Sequence, residues 1–333
     1  MRFLAFPVLV QTLICNQMSL QEKFSLSLVS KRMKMLVKST YSNIHGVTFG
    51  FLRNKIAIYF QDSTIHWKRR RFYIPRNCSS LFYVERMDRS IEHMIYNHNA
   101  EGDFSSLILY LWNHIFEIFS KRNNPLKMTV FIDKMNKYLW MPSVGRATFF
   151  SFKREEIEDF IGRHSDLKAL EIVGEVDLPL TMNSNVFDVR NIRFYISIRK
   201  FTDYLKCFRG FHAIFKPYIH VDHVYEFIDE WIRGDYYENL KFVVVYNGNY
   251  GFEQVVLDRY EVKKVGDRSH IPDYYPLDDE DLLYLTDQTN PIPSHQAVFI
   301  ENNAKNKVAS IQFNSRVFEF YIWERELIFP LRP

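Results

Sequence analysis

The sequence predicts a mixed α/β chain: a three-helix module at the N-terminus, then an irregular stack of helix-strand units with flanking antiparallel strands. Three observations predict it. Residues Phe6 to Ser39 repeat apolar side chains at helical spacing between capping signals. From Val47 to Ile74 the apolar residues alternate with period two. Further on, a helix-like run, a polar corner and a Leu-Lys strand recur three times.

The first helix opens at Pro7, whose missing N–H has no partner to lose in a first turn, and repeats apolar residues at Leu9, Val10, Leu13 and Ile14. Ser19-Leu20-Gln21-Glu22 announces the second as a capping box, in which the Ser19 hydroxyl and the Glu22 carboxylate each satisfy an orphan backbone N–H. Phe24 and Leu26 lie within it. The third helix, running from Leu28 through Leu36, carries Met33, Met35, Leu36 and Val37 on an apolar stripe, with Lys31, Arg32, Lys34 and Lys38 on its wet side. Helices this few and this short cannot bury enough surface to be firmly stable alone, so the leftover apolar face needs a partner or the rest of the chain. The segment therefore reads as a docking device.

These residues resemble the F-box. That family's pattern is Leu-Pro, a helix of spaced aliphatics, a hydrophobic residue before an Asp-Pro or Ser-capped helix, and a Leu-Val-Ser-Lys-Arg run. Phe6-Pro7, Leu9, Leu13, Ile14, Met18, Ser19, Phe24, Leu26 and Leu28 through Arg32 fall on those positions. Phe6 replaces the usual Leu, Ser19-Leu20 replaces Asp-Pro, and no Trp follows Arg32; none of these departures removes an apolar anchor. Met18-Ser19 and Ser27 through Arg32 are most similar to the expanded nematode version of the family. The resemblance implies that residues 1–44 bind a Skp-family adaptor, and through it a cullin, using Phe6, Pro7, Leu9, Leu13, Ile14, Met18, Phe24, Leu28, Val29, Lys31, Arg32 and Leu36. A secretory signal is the other reading of residues 1–17, since Arg2 precedes an apolar run; Pro7 and Gln11-Thr12 interrupt that run and no Ala-x-Ala-like site follows.

A chain of 333 residues with 47% hydrophobic content can build a sizeable core. No apolar run approaches the ~18 residues that cross a bilayer, so a soluble protein without a membrane partner is expected. Cys15, Cys78 and Cys207 lie far apart without metal or disulfide spacing, which suits a reducing compartment, the cytoplasm or nucleus. Acidic residues nearly match basic ones at a net charge of +4, which does not favour nucleic acid as a partner. Aromatic content of 17%, with 30 Phe and 20 Tyr, points to a large packed interior or a sticky recognition face.

In the period-two region, Lys55 to Phe60, a turn at Gln61-Asp62-Ser63, Thr64 to Trp67 and Arg71 to Ile74 read as an antiparallel hairpin or meander. Lys68-Arg69-Arg70-Arg71 lies inside it between Trp67 and Phe72. This run is either a charged strand edge kept from aggregating or a phosphate-gripping patch, which makes a nucleic-acid-binding protein the alternative function.

The recurring grammar comprises Leu107–Phe116 before Leu126–Ile132, Glu155–Gly162 before Leu167–Val173, and Val224–Ile232 before Leu240–Val245. Leu167 to Leu240 is nearly twice the interval from Leu126 to Leu167, so a degenerate unit is expected around Asn191–Ile198 with a helix at Phe201–Phe208. Such units stack a sheet against a layer of helices in an irregular, leucine-rich-repeat-like way. Val224–Ile232, Gly234 and Asn239-Leu240-Lys241, with Asn306–Phe313 and Phe318–Trp323, resemble the F-box-associated domain, type 2, over about residues 212–323. That resemblance implies an F-box-associated α/β substrate-recognition domain across residues 45–333, binding an unknown target protein.

Enzymatic signatures are missing. His212, His220 and His223 near Asp222 have metal-ligand chemistry but fall at a strand-to-helix junction, where a structural role is the commoner one. Asp278-Asp279-Glu280-Asp281 lacks the glycine rhythm of a calcium loop and reads as an acidic helix start. No phosphate-cradling glycine motif, Gly-x-Ser-x-Gly elbow or Cys-His pairing appears. Trp231 and Trp323 sit in apolar periodic runs, the setting of core residues rather than recognition anchors. The expectation is a non-catalytic adaptor subunit of a ubiquitin ligase complex in the ubiquitin conjugation pathway, without catalytic residues, cofactor or metal.

Overall fold

Alternating apolar residues build the first strands, β1 (Ile44–Leu52) and β2 (Lys55–Asp62), which pair antiparallel and bury Val47, Phe49 and Ile58. The computed structural model describes residues 3–40, 42, 44–52, 55–62, 71–75, 82–87, 90–95, 104–120, 127–132, 144–150, 153–174, 180–195, 200–216, 220–234, 236–246, 258–263, 275, 298–314 and 317–329. It divides into two compact units, Met1–Thr148 and Phe149–Pro333.

In the first unit, helices α1 (Val8–Gln17), α2 (Leu20–Val29) and α3 (Lys31–Ser39) precede the strands. The strand order is β6 (Lys127–Ile132), β1, β2, β3 (Arg71–Pro75), with β6 parallel to β1 and the others antiparallel. Strands β4 (Phe82–Met87) and β5 (Ser90–Ile95) form a separate antiparallel pair. Helix α4 (Phe104–Phe119) lies against β1, where the Trp112 and Phe49 rings meet edge to face, centroids 6.2 Å apart.

Strands β1, β2 and β3 form an antiparallel meander in which the expected strands Lys55–Phe60 and Arg71–Ile74 fall within β2 and β3, but Gln61 and Asp62 are not in a turn. Gln61 and Asp62 remain in β2 because β1 is long enough to pair with them at Gly46 and Ile44, across a bulge. The expected strand Thr64–Trp67 and the basic residues Lys68–Arg70 lie outside the described residues; Arg71 opens β3.

Strand β7 (Val144–Phe150) carries the chain into the second unit. There α5 (Arg154–Arg163) leads to β8 (Ala169–Val173), β9 (Asn191–Tyr195) is followed by α6 (Phe201–Cys207) and β10 (His212–Phe215), and α7 (Val221–Arg233) leads to β11 (Phe242–Tyr246). Strands β8, β9, β10 and β11 lie side by side in chain order, all parallel. Apolar runs such as Phe242-Val243-Val244-Val245 suit strands buried on both faces. Three antiparallel strands extend this sheet beyond β11: β14 (Val317–Glu324), β13 (Lys307–Asn314) and β12 (Val298–Asn302).

Helix α7 buries Val224, Phe227, Ile228 and Trp231, and ends at Gly234, whose φ of 85° closes the helix by hydrogen bonds to the Glu230 and Trp231 carbonyls. Phe227 and Trp231 meet Phe320 of β14, and Phe201 of α6 meets Phe215 of β10, so these helices cover one sheet face. The other face packs Ile214, Phe242, Val244, Phe299, Tyr321 and Trp323 under Ile328 of the short helix α8 (Arg325–Ile328). Trp231 and Trp323 are thus core, as their periodic settings imply. Tyr275 donates to the Ile322 carbonyl at 2.9 Å. Asn191 and Asn239 each donate a side-chain N–H to the carbonyl of a preceding loop, Lys168 at 3.0 Å and Arg209 at 3.1 Å, tying neighbouring parallel strands at their N-terminal ends.

Candidate functional site: the N-terminal helical module

Capping sets the three helices. Ser19 Oγ accepts from the Glu22 N–H at 3.3 Å while Glu22 Oε2 accepts from the Ser19 N–H at 2.7 Å, the reciprocal pair expected from the sequence. The helix expected from Leu28 to Leu36 is divided at Ser30, which leaves Leu28 and Val29 in α2 and joins α2 to α3 with extended backbone, its Oγ accepting from the Met33 N–H at 3.3 Å. So abrupt a junction forces α3 back against α2. Cys15, Met33 and Leu36 then form a small apolar core, closed by half-buried Phe3, Met18 and Leu26.

The polarity of α1 is inverted relative to an ordinary surface helix. Its buried residues are Gln11 and Cys15, while its aliphatic residues face outward: Leu9 is 70% exposed and Leu13 56%, with Val8, Val10 and Ile14 also exposed. Gln11 is tolerated inside because its amide donates to the Phe6 carbonyl at 2.6 Å, pinning the entry turn ahead of Pro7. Leu9 with Leu13, and Val10 with Ile14, are spaced i, i+4 and share an outward stripe. Exposed aliphatic area of this kind has no stabilising role in the module itself.

The residues expected to meet an adaptor therefore divide into two groups. Pro7, Leu9, Leu13, Ile14, Val29, Lys31 and Arg32 are exposed, and Phe6, Met18 and Leu28 are half-buried. Phe24 and Leu36 are buried. Met35 is exposed on α3 beside the basic residues, which amphipathic reasoning alone had assigned inward with Leu36. Phe24 belongs to a second interface, with α4, where its ring meets His114 edge to face at 6.0 Å. Ser27 Oγ, which donates to the Phe24 carbonyl at 2.6 Å, lies 2.7 Å from His114 Nε2. Lys34 pairs with Glu117 at 2.5 Å and Lys38 approaches the same carboxylate at 3.9 Å. The Lys34 hydrogen bond holds the Glu117 carboxyl below its usual range, while burial, aided by the Lys34 charge, pushes the His114 imidazole down. Nothing in the sequence singled out His114; a lone polar residue on an apolar helix gives no direction for its partner.

Burial pushes the thiol of Cys15 up, against a small opposing pull from Lys23, so it packs as a small apolar group. The histidines weighed as metal ligands are separately engaged. His212 is fully buried with Nδ1 2.5 Å from Asn191 Oδ1, His220 caps α7 by accepting from the Asp222 N–H at 3.4 Å, and His223 packs its ring edge to face on Phe201. Among the described residues no group of three His, Cys, Asp or Glu side chains is arranged to hold a metal ion. Asp278–Asp281 and Cys78 lie outside those residues.

Comparison with known proteins agrees with the geometry of the module: the F-box domain model matches residues 3–45. No curated protein and no solved structure matches the chain.

Proposed function

With an F-box domain at residues 3–45 as the premise, we propose that this chain is a substrate-recruiting, non-catalytic subunit of a Skp-adaptor, cullin, F-box ubiquitin ligase. One observation carries the reading: inside that domain the aliphatic residues of α1 face outward, leaving a ready apolar surface for a partner. Residues 1–44 dock the Skp-family adaptor, with Leu9, Leu13, Ile14 and Val29 making apolar contact and Lys31 and Arg32 at the charged rim. Phe24 and Leu36 serve the same contact from behind, by holding the helices that present it.

Residues 45–333 then carry target recognition. The nematode-type F-box-associated domain, type 2, over about 212–323 is the assignment favoured by the sequence words quoted above. An irregular leucine-rich-repeat-like stack is supported by the parallel order of β8 to β11. The mechanism is proximity: holding a target lysine beside a loaded conjugating enzyme turns a bimolecular transfer into a nearly intramolecular one. The compartment is the cytoplasm or nucleus.

Co-expression of the full chain with a Skp-family adaptor, followed by size exclusion and cullin addition, tests the proposal. A stable ternary complex is expected, and one that survives raised salt. Failure of the folded chain to capture any such adaptor, or nucleic-acid binding that falls steeply with salt, would favour the basic run Lys68 to Arg71 as the functional element instead.

A further inference from the structure

Helix α4 lies outside the stretch matched as an F-box, residues 3–45, yet it packs directly on that module. Phe24 and Ser27 of α2 meet its His114, and Lys34 and Lys38 of α3 reach its Glu117 at 2.5 and 3.9 Å. At about 100° per residue, His114 and Glu117 stand about 60° apart around α4, so α2 takes one flank of the contact and α3 the other. Beyond Glu117, on the flank away from α2, the next positions around α4 are Asn113 and Phe116; Asn113 is exposed and Phe116 is 46% exposed. On α3 the same spacing sets Lys31 and Met35 next to Lys34 and Lys38; Lys31 is exposed and Met35 is 61% exposed. Since α2 covers the other side of the α3–α4 contact, these two exposed flanks open on the same side.

Arg32 bounds this open face of α3 on its far side, because Met33 and Leu36 beyond it turn inward to Cys15 of α1. The face thus lies between α1 and α4, and a partner that meets Arg32 and the outward stripe of α1 has α4 beside it. The Phe116 ring packs against Trp112, centroids 5.8 Å apart, which holds it on one side and leaves the other to solvent. Exposed aromatic surface held in this way suits an interface, where large aromatic residues supply much of the binding energy. Charge points to the kind of partner. Glu22 and Glu117 are the only acids in α1 to α4, and Glu22 is spent on its capping box, so Lys31, Arg32, Lys34 and Lys38 leave the face positive. The complementary surface is acidic around apolar contacts.

We propose that the adaptor's footprint extends past the F-box onto α4, where Phe116 and Asn113 continue the surface of Lys31 and Met35 and meet an acidic patch of the adaptor. This contact presupposes the adaptor reading and adds to it residues outside 3–45.

Hydroxyl-radical footprinting of the full chain, alone and with a Skp-family adaptor, tests the contact on the wild type. Oxidation of Met35 and Phe116 is expected to fall severalfold in the complex, while Met182, 71% exposed in the second unit, reports the background. Phe116→Asp should weaken adaptor capture at least about tenfold, and Asn113→Glu should weaken it several times more than Asn113→Lys. Leu13→Asp separates the two readings. A complex that Leu13→Asp disrupts, but in which Phe116 oxidises at its free rate, overturns the α4 contact alone, as does undiminished capture by a folded Phe116→Asp chain. Equal or reversed effects of the two Asn113 variants overturn the acidic patch. A wild type that captures no adaptor overturns both the contact and the adaptor reading. The footprint stands whether or not a variant folds.

Discussion

Ser27 of α2 and His114 of α4 share a hydrogen bond 2.7 Å long across 87 residues of sequence. The Ser27 hydroxyl already donates to the Phe24 carbonyl, so it accepts from His114, which fixes the neutral imidazole with its proton on Nε2. Burial lowers the His114 pKa below 6.5, Lys34 lowers it further, and Glu117 opposes them. Between the depressed folded value and the ordinary unfolded one, the unfolded chain binds more protons. The contribution is therefore fully present above about 6.5 and is lost as pH falls toward the folded value. Denaturant melts from pH 7.5 downward are expected to show this loss, and His114→Gln to remove it. Unchanged pH dependence in that variant would mean that the imidazole is not held neutral.

Ser27→Ala leaves the His114 Nε2–H buried opposite a methyl group, and is expected to cost about 1–3 kcal/mol. Denaturation of the variant at pH 7.5 measures it. A loss well below that range would show that water replaces the hydroxyl.

Glu319 contributes to pH dependence with the opposite sign. Burial raises its pKa from 4.5 to about 7, so the folded chain holds a proton that the unfolded chain has released. Stability from this group is present below 4.5 and is lost as pH rises to about 7. Glu319→Gln should therefore be more stable than the wild type at pH 8 by about 3–4 kcal/mol, on the scale of 1.4 kcal/mol per pKa unit. The gain should shrink toward zero at pH 4. A destabilised variant at pH 8 would indicate a partner for the ionised carboxylate.

Much of this architecture was legible because period and capping are local. The Ser19-Glu22 box, the closure of α7 before Gly234, and the shift from period two to helix-strand pairs each depend on residues a few positions apart. Periodicity alone did not orient α1; the F-box resemblance placed Leu9, Leu13 and Ile14 toward a partner. Leu9, Val10, Leu13 and Ile14 mark an apolar face, but only the folded module shows that Gln11 and Cys15 take the inside. Periodicity gives a stripe and not its direction, and here the stripe is spent outward. Gln61 and Asp62, expected in a turn, stay in β2 for a related reason: polar residues signal a turn only when the partner strand has ended, and β1 continues opposite them. The pairing of Glu319 with Gln312 across β14 and β13 was silent because alternation in a strand names a face, while register decides which positions stand opposite.

Gly210 is held between two backbone bonds, Arg209 N–H to the Phe187 carbonyl and Phe211 N–H to the Arg190 carbonyl, each 2.8 Å. A Cβ at this position would collide with the Val189 carbonyl oxygen and the Phe208 ring. Gly210→Ala is expected to destabilise the second unit by about 1–3 kcal/mol, the usual cost of overpacking, and equilibrium denaturation checks it. A neutral substitution would mean that the loop entering β10 can shift without loss.

The outward stripe of α1 allows docking to be separated from folding by substitution. Leu13 is 56% exposed, so Leu13→Asp removes little packing and should leave the melting transition within about 0.5 kcal/mol of the wild type. If the stripe meets the adaptor, the same change should cost about 2–4 kcal/mol of binding, roughly thirty-fold or more. Phe24→Ala is the converse. Its ring is buried against His114, so about 3–5 kcal/mol of stability should be lost with any effect on adaptor binding secondary to unfolding. These variants are cleaner than deleting residues 1–40, which would strip Phe24 and Ser27 from α4. A folded Leu9→Asp, Leu13→Asp double variant should bind its target normally, fail to enter the ligase, and act as a dominant inhibitor of target ubiquitination. Undiminished adaptor capture by that folded double variant would remove the apolar stripe of α1 from the interface, and with it the central observation behind the proposed function.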